Sequence, residues 1–127
     1  MNIYIIIAIL AIHWLADFVL QTDWQAKNKS KNNEALLDHT CVYSWVWFFI
    51  VFGFTLVNYH TIIGAILAGG MFTCITFFCH TITDYFTSRL NSRLWEKKKI
   101  HWFFVSVGFD QLLHYIQLLL TYKLIFG

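Results

Sequence analysis

Residues 61–84 read TIIGAILAGGMFTCITFFCHTITD, a stretch that is apolar for most of its length and polar where it ends. From Ile62 to Phe78 no side chain is charged, and the whole chain lacks proline. A bilayer core of about 30 Å takes about 20 mostly apolar residues of helix. Backbone N–H and C=O groups find no water in lipid, so a run of this kind satisfies them internally as a helix. His80 and Asp84 close the stretch, four residues and therefore one helical turn apart, on a common face.

Working outward, three further runs have the same character: about 2–20, 40–57 and 102–126. Together with 61–84 they predict an all-α, polytopic membrane protein, a four-helix transmembrane bundle forming one domain over 1–127. Composition agrees. With 58% hydrophobic, 20% aromatic and 13% charged residues, a soluble domain of 127 residues would have to expose apolar surface it cannot bury. No run alternates as a membrane β-strand does. The first run lacks a basic leader and a small-residue cleavage site, and it carries His13 and Asp17, so it reads as a retained helix rather than a signal peptide.

The connections set the orientation. Residues 21–38 contain Lys27, Lys29 and Lys31; residues 85–101 contain Arg89, Arg93, Lys97, Lys98 and Lys99; the turn at Asn58, Tyr59 and His60 has no Lys or Arg. Basic loops favour the cytoplasmic side. The expectation is a bacterial inner (cytoplasmic) membrane protein with both termini outside. Trp24, Trp95 and Trp102 would mark its inner interface, and Tyr4, Tyr59 and Tyr122 its outer one. The expected partners are membrane lipids, above all anionic inner-leaflet headgroups beside the Arg89–Lys99 run. A net charge of +2 gives no reason to expect nucleic acid. Cys41, Cys74 and Cys79 show no C-x-x-C spacing and read as small apolar residues. Gly64 with Ala68, and Ala65 with Gly69, are small-xxx-small pairs that let helices approach closely.

The ionisable residues inside the runs stand out. A carboxylate at the centre of a membrane helix costs about 2.5–3.5 kcal/mol on insertion scales. Asp17, Asp84 and Asp110 nevertheless lie in or at the edge of the runs, each four residues from a histidine: His13, His80 and His114. Three such matches by accident have a chance of roughly one in a thousand, at roughly one in ten for each. Gln21 continues the first stripe, Gln111 and Gln117 accompany the last, and His39 opens the second run. At a rise of about 1.5 Å per residue, all four helices bring His or Asp to the same, basic half of the bilayer. His13, Asp17, His39, His80, Asp84, Asp110 and His114 are thus candidate ligands for a divalent transition metal, zinc first, as one or two ions. Seven ligands exceed the four of one tetrahedral zinc, so either two ions share them or some carboxylates orient metal-bound imidazoles. The same residue types would also serve as a hydrogen-bonded polar core or as a proton or ion relay.

The run His13-Trp14-Leu15-Ala16-Asp17-Phe18-Val19-Leu20-Gln21-Thr22 resembles the signature of a family of small multi-pass membrane proteins from bacteria and their phages, catalogued as a domain of unknown function. Leu37-x-His39, His80-x-x-x-Asp84 and Asp110-Gln111-x-x-His114 resemble its later motifs, so the resemblance spans nearly the whole chain. Thr87, then Arg89, follow where the family pattern has a basic residue soon after the third motif's Asp. The resemblance implies the membrane topology and which polar residues matter, and it implies no activity. His and Asp on membrane helices are also similar in style to membrane-bound metal-dependent hydrolases, by analogy only.

The reading that follows is a metal-dependent hydrolase of a lipid phosphoester at the inner membrane surface. A metal acidifies water to make a nucleophile near neutral pH. Asp17 or Asp110 would take its proton, and Gln21 or Gln111 would orient substrate or polarise its oxygen. A metal-ion or proton carrier or channel is the second reading, and a non-enzymatic phage or host membrane factor with a polar core the third. Four helices are few to seal a cavity, and a homodimer would help to close it.

Overall fold

The computed structural model describes residues 2–127, and among them there is helix and no strand. Helix α1 (Ile3–Trp14) starts at Asn2, whose side chain accepts from the Tyr4 backbone N–H. It runs on into a π-helical turn over Leu15–Val19, where the Leu20 N–H reaches back five residues to the Leu15 carbonyl at 3.0 Å. A short helix, α2 (Asp23–Asn28), follows, closed by a reciprocal cap between Thr22 and Gln25. The three long helices are α3 (Asn33–Tyr59), α4 (Ile62–Glu96) and α5 (Ile100–Phe126).

Each boundary has a local cause. Asn32 caps α3 through the Glu34 N–H, and Thr61 caps α4 through the Gly64 N–H. Between them His60 takes the left-handed conformation, φ 53°, and ends α3. Lys98, φ 54°, does the same service between α4 and α5.

Two boundaries differ from the sequence reading. The second long helix begins at Asn33, seven residues before the apolar run at Thr40, because the Asn32 cap sets its start and hydropathy does not. Residues 85–96, read as a connection, continue α4 to Glu96, since nothing in Tyr85–Glu96 breaks a helix. At 35 residues α4 is about 52 Å long, well beyond a 30 Å hydrocarbon core. Its polar last turns therefore stand clear of the apolar layer, tied to α3 by Arg89 donating to Asn33 Oδ1 at 2.7 Å.

α4 packs along both α3 and α5, α1 rests on α5, and the π turn touches α3. Ile9, Tyr43, Trp47, Val51, Phe72 and Leu118 form the apolar core. Outward faces are equally apolar: Ile63 is 73% exposed, Val57 and Leu124 70%, Phe86 67%. Exposed apolar surface on this scale belongs in lipid, not water. α3, α4 and α5 are each long and apolar enough to cross a membrane, and Ile3–Val19 is a shorter apolar helix. Of the two small-residue pairs, Ala65 and Gly69 are buried, with Gly69 against Phe48 of α3. Gly64 instead faces the Thr61 side chain that caps its own helix.

Candidate metal centre

The stripes read from sequence converge on one buried cluster at the end of the bundle that carries the basic connections. Asp17, His39, His80 and Asp84 each turn one ligand atom toward the others, all within 4.8 Å. His39 Nε2 lies 3.0 Å from Asp17 Oδ1 and 3.5 Å from Asp84 Oδ2. His80 Nε2 lies 3.5 and 3.6 Å from the same two oxygens, and 3.3 Å from His39 Nε2. Two imidazole nitrogens facing each other across two carboxylates is a donor set that suits a cation between them.

A second group adjoins the first. Asp84, Asp110 and His114 also bring ligand atoms within 4.8 Å of one another. His114 Nε2 is 3.1 Å from Asp84 Oδ1 and 3.3 Å from Asp110 Oδ1. Asp84 belongs to both groups and divides its oxygens between them, Oδ2 toward His39 and His80, Oδ1 toward His114.

The helices explain the convergence. His80 and Asp84 sit one turn apart on α4, the central helix, and His114 and Asp110 one turn apart on α5. His80 is held by ring stacking between Tyr43 (centroids 3.9 Å apart) and His114 (4.1 Å). Asp17 lies in the π turn, an irregularity that often marks functional positions because it re-aims one side chain.

The remaining candidates flank the cluster. His13 is buried 3.7 Å from Asp17 Oδ2. Its Nδ1 faces the Tyr43 hydroxyl at 2.7 Å and its Nε2 faces Gln111 Oε1 at 2.9 Å, so both nitrogens are engaged outside the two ligand groups. The Gln111 amide in turn donates to Asp110 Oδ2 at 3.1 Å and Asp17 Oδ2 at 3.4 Å. Gln111 thereby links α1 to both carboxylates. The Gln21 amide lies 3.4 Å from His39 Nδ1, at the rim. Gln117 lies further along α5 and bonds Thr76 and Thr121. His60 and His101 are exposed and away from the cluster, and the three cysteines are free and exposed.

Three residues escaped the sequence reading. Lys29, one of three lysines in the first basic connection, folds inward so that its Nζ lies 2.8 Å from Asp84 Oδ2 and 3.4 Å from His39 Nε2. Burial pulls its pKa down, but Asp84 and Asp17 outweigh that and hold it above the ordinary lysine value, so the ammonium stays charged. Nothing in the spacing distinguishes Lys29 from Lys27 or Lys31. Tyr43 follows His39 by one turn and was findable on that ground. Thr87 follows Asp84 by three, and its hydroxyl donates to Asp110 Oδ1 at 2.6 Å.

The buried carboxylates outnumber the ammonium groups that meet them. Asp17, Asp84 and Asp110 are nearly buried, and among the described residues Lys29 is the one ammonium that reaches them. Three carboxylates against one ammonium leave two negative charges for imidazolium or a bound cation to meet, since uncompensated buried charge is very costly. Imidazoles and carboxylates together are a donor set that suits divalent transition metals.

The chain belongs to a family described as a protein of unknown function (DUF3307), whose model matches residues 5–127. No curated protein and no solved structure matches it.

Proposed function

We propose that this DUF3307 member is a membrane-embedded metal-dependent hydrolase of a lipid phosphoester. We place it in the bacterial cytoplasmic membrane, with four spans and its basic end inside. The division of the Asp84 carboxylate between two ligand groups carries the reading. A carboxylate shared in this way suits a pair of ions, of which Asp17, His39 and His80 would hold one and His114 and Asp110 the other. A metal pair supplies an acidified water and a clamp on the attacking and leaving oxygens of a phosphoester.

The protein's own groups fill the other roles. Asp110 is the most exposed of the three carboxylates; through Oδ2, the oxygen that does not face His114, it would take the proton as the water oxygen adds to phosphorus and the ester P–O bond breaks, and pass it to the leaving oxygen. Thr87 and Gln111 hold Asp110 by both oxygens, and Gln111 fixes Asp17 with the same amide. The lysine-bearing end offers the leaving group and headgroup a positive environment. A carrier or channel is less well supported. Away from the cluster the helices bury Trp47, Phe72, Val51 and Leu118, and the polar side chains set among them, Thr76, Gln117 and Thr121, are uncharged and bond to one another.

The test is turnover by protein reconstituted in anionic phospholipid vesicles with zinc, manganese or iron. Release of a phosphoester product is expected, abolished by chelation and restored by metal. Gln111→Ala should lower it about 10–100-fold, as loss of a group that orients ligands does. No turnover with any of the three metals on any phospholipid headgroup contradicts the hydrolase reading.

A further inference from the structure

Outside the cluster, at the same end, lies a cleft of about 570 Å³ between the first connection, the last turns of α4 and the start of α5. We infer that it binds a single amphiphilic phosphate, a phospholipid headgroup with the first part of its chains. Its size is that of a small-molecule site.

One wall is cationic and polar: Lys29 and Lys31 with Ser30, then Ser88, Asn91 and Ser92 along one face of α4. A second wall is aromatic: Phe103 and Phe104 of α5, with Trp95 of α4 beside Phe103, ring centroids 5.1 Å apart. A free phosphate has no use for the second wall, and an uncharged chain has no use for the first. Two polar atoms in this lining are also left over. Ser88 Oγ and Asn91 Oδ1 are shielded from solvent and have no hydrogen-bond partner. Buried polar atoms are ordinarily paired; the Ser88 hydroxyl is a donor that a phosphate oxygen would satisfy, whereas Asn91 Oδ1 is an acceptor and supports no phosphate contact.

Among the described residues the lining carries Lys27, Lys29 and Lys31 and no acidic side chain; their acidic partners stand outside it. Lys31 meets Glu96 at 3.9 Å and Lys27 meets Asp23 at 4.0 Å, both pairs exposed and therefore weak. Lys29 belongs to both places: it lines the cleft and its ammonium reaches Asp84 in the cluster. A headgroup in the cleft would thus lie one side chain from the ligand groups. That the bound lipid is the substrate rests on the hydrolase reading; that the cleft binds it does not.

The experiment is calorimetric titration of the full chain in phosphatidylcholine nanodiscs with dihexanoyl phosphatidic acid, against dihexanoyl phosphatidylcholine and inorganic phosphate. Phosphatidic acid should bind at least tenfold more tightly than either. Lys31→Glu, on an exposed side chain, and Ser92→Trp, which fills the cleft without changing charge, should each weaken it at least tenfold and leave metal content unchanged. Inorganic phosphate binding as tightly, loss in Lys31→Glu alone, binding indifferent to both variants, or no binding would each overturn the assignment. Binding with metal-free protein would uphold the cleft while the metal reading fails, and metal without binding would do the reverse.

Discussion

The two halves of this bundle are held together by different forces. In the half beyond the cluster, Ile9, Trp47, Val51, Phe72 and Leu118 meet, and Trp47 stacks on Phe72 with centroids 5.2 Å apart. Lipid chains are as apolar as these side chains, so what holds them is close packing rather than escape from solvent. At the basic end the same helices bring together three carboxylates, four imidazoles and one ammonium, nearly all buried. Such a group costs stability unless charges are met, and nothing in the packing of a bundle requires it. The apolar half makes the fold, and the ionisable cluster is a burden that the fold supports for another purpose.

That contrast can be broken in order of effect. The largest should come from Asp84→Asn, which removes a charge from both ligand groups while preserving size. Bound metal should fall to background and turnover with it, whereas Leu118→Ala in the apolar half should leave metal content intact. Leu118→Ala should instead cost about 2 kcal/mol of stability, near the low end for such truncations because lipid removes the transfer term. If Asp84→Asn keeps its metal and Leu118→Ala loses it, the two halves do not divide the work this way. Gly69→Ala should do less. Its new methyl would come within 3.2 Å of the Phe48 ring and 3.3 Å of the Phe48 carbonyl oxygen, and the backbone atom cannot rotate aside. A loss of about 1 kcal/mol is expected, read from thermal unfolding in detergent, with metal content unchanged. A neutral Gly69→Ala would mean that α3 and α4 are not closely fitted there.

Much of this was legible from residue spacing. The i, i+4 pairs of His80 with Asp84 and of Asp110 with His114 predicted a shared face on each helix, and those four residues do meet. Apolar runs predicted the long helices, but their ends are fixed by Asn32, Thr61 and the left-handed His60 and Lys98, which hydropathy does not register. The π turn at Leu15–Val19 was not legible, because nothing in Leu-Ala-Asp-Phe-Val distinguishes it from regular helix. Lys29 was illegible for a deeper reason. Its role depends on where a polar connection folds back over α4, a tertiary fact that three similar lysines do not encode.

The most direct test is elemental analysis of metal bound to the wild-type protein purified in detergent without added ions, then after reconstitution with zinc, manganese and iron. One to two equivalents of a transition metal per chain, reduced in His80→Ala, is the predicted result. Metal at background in every preparation would contradict the account and leave the cluster as a hydrogen-bonded core or a proton relay.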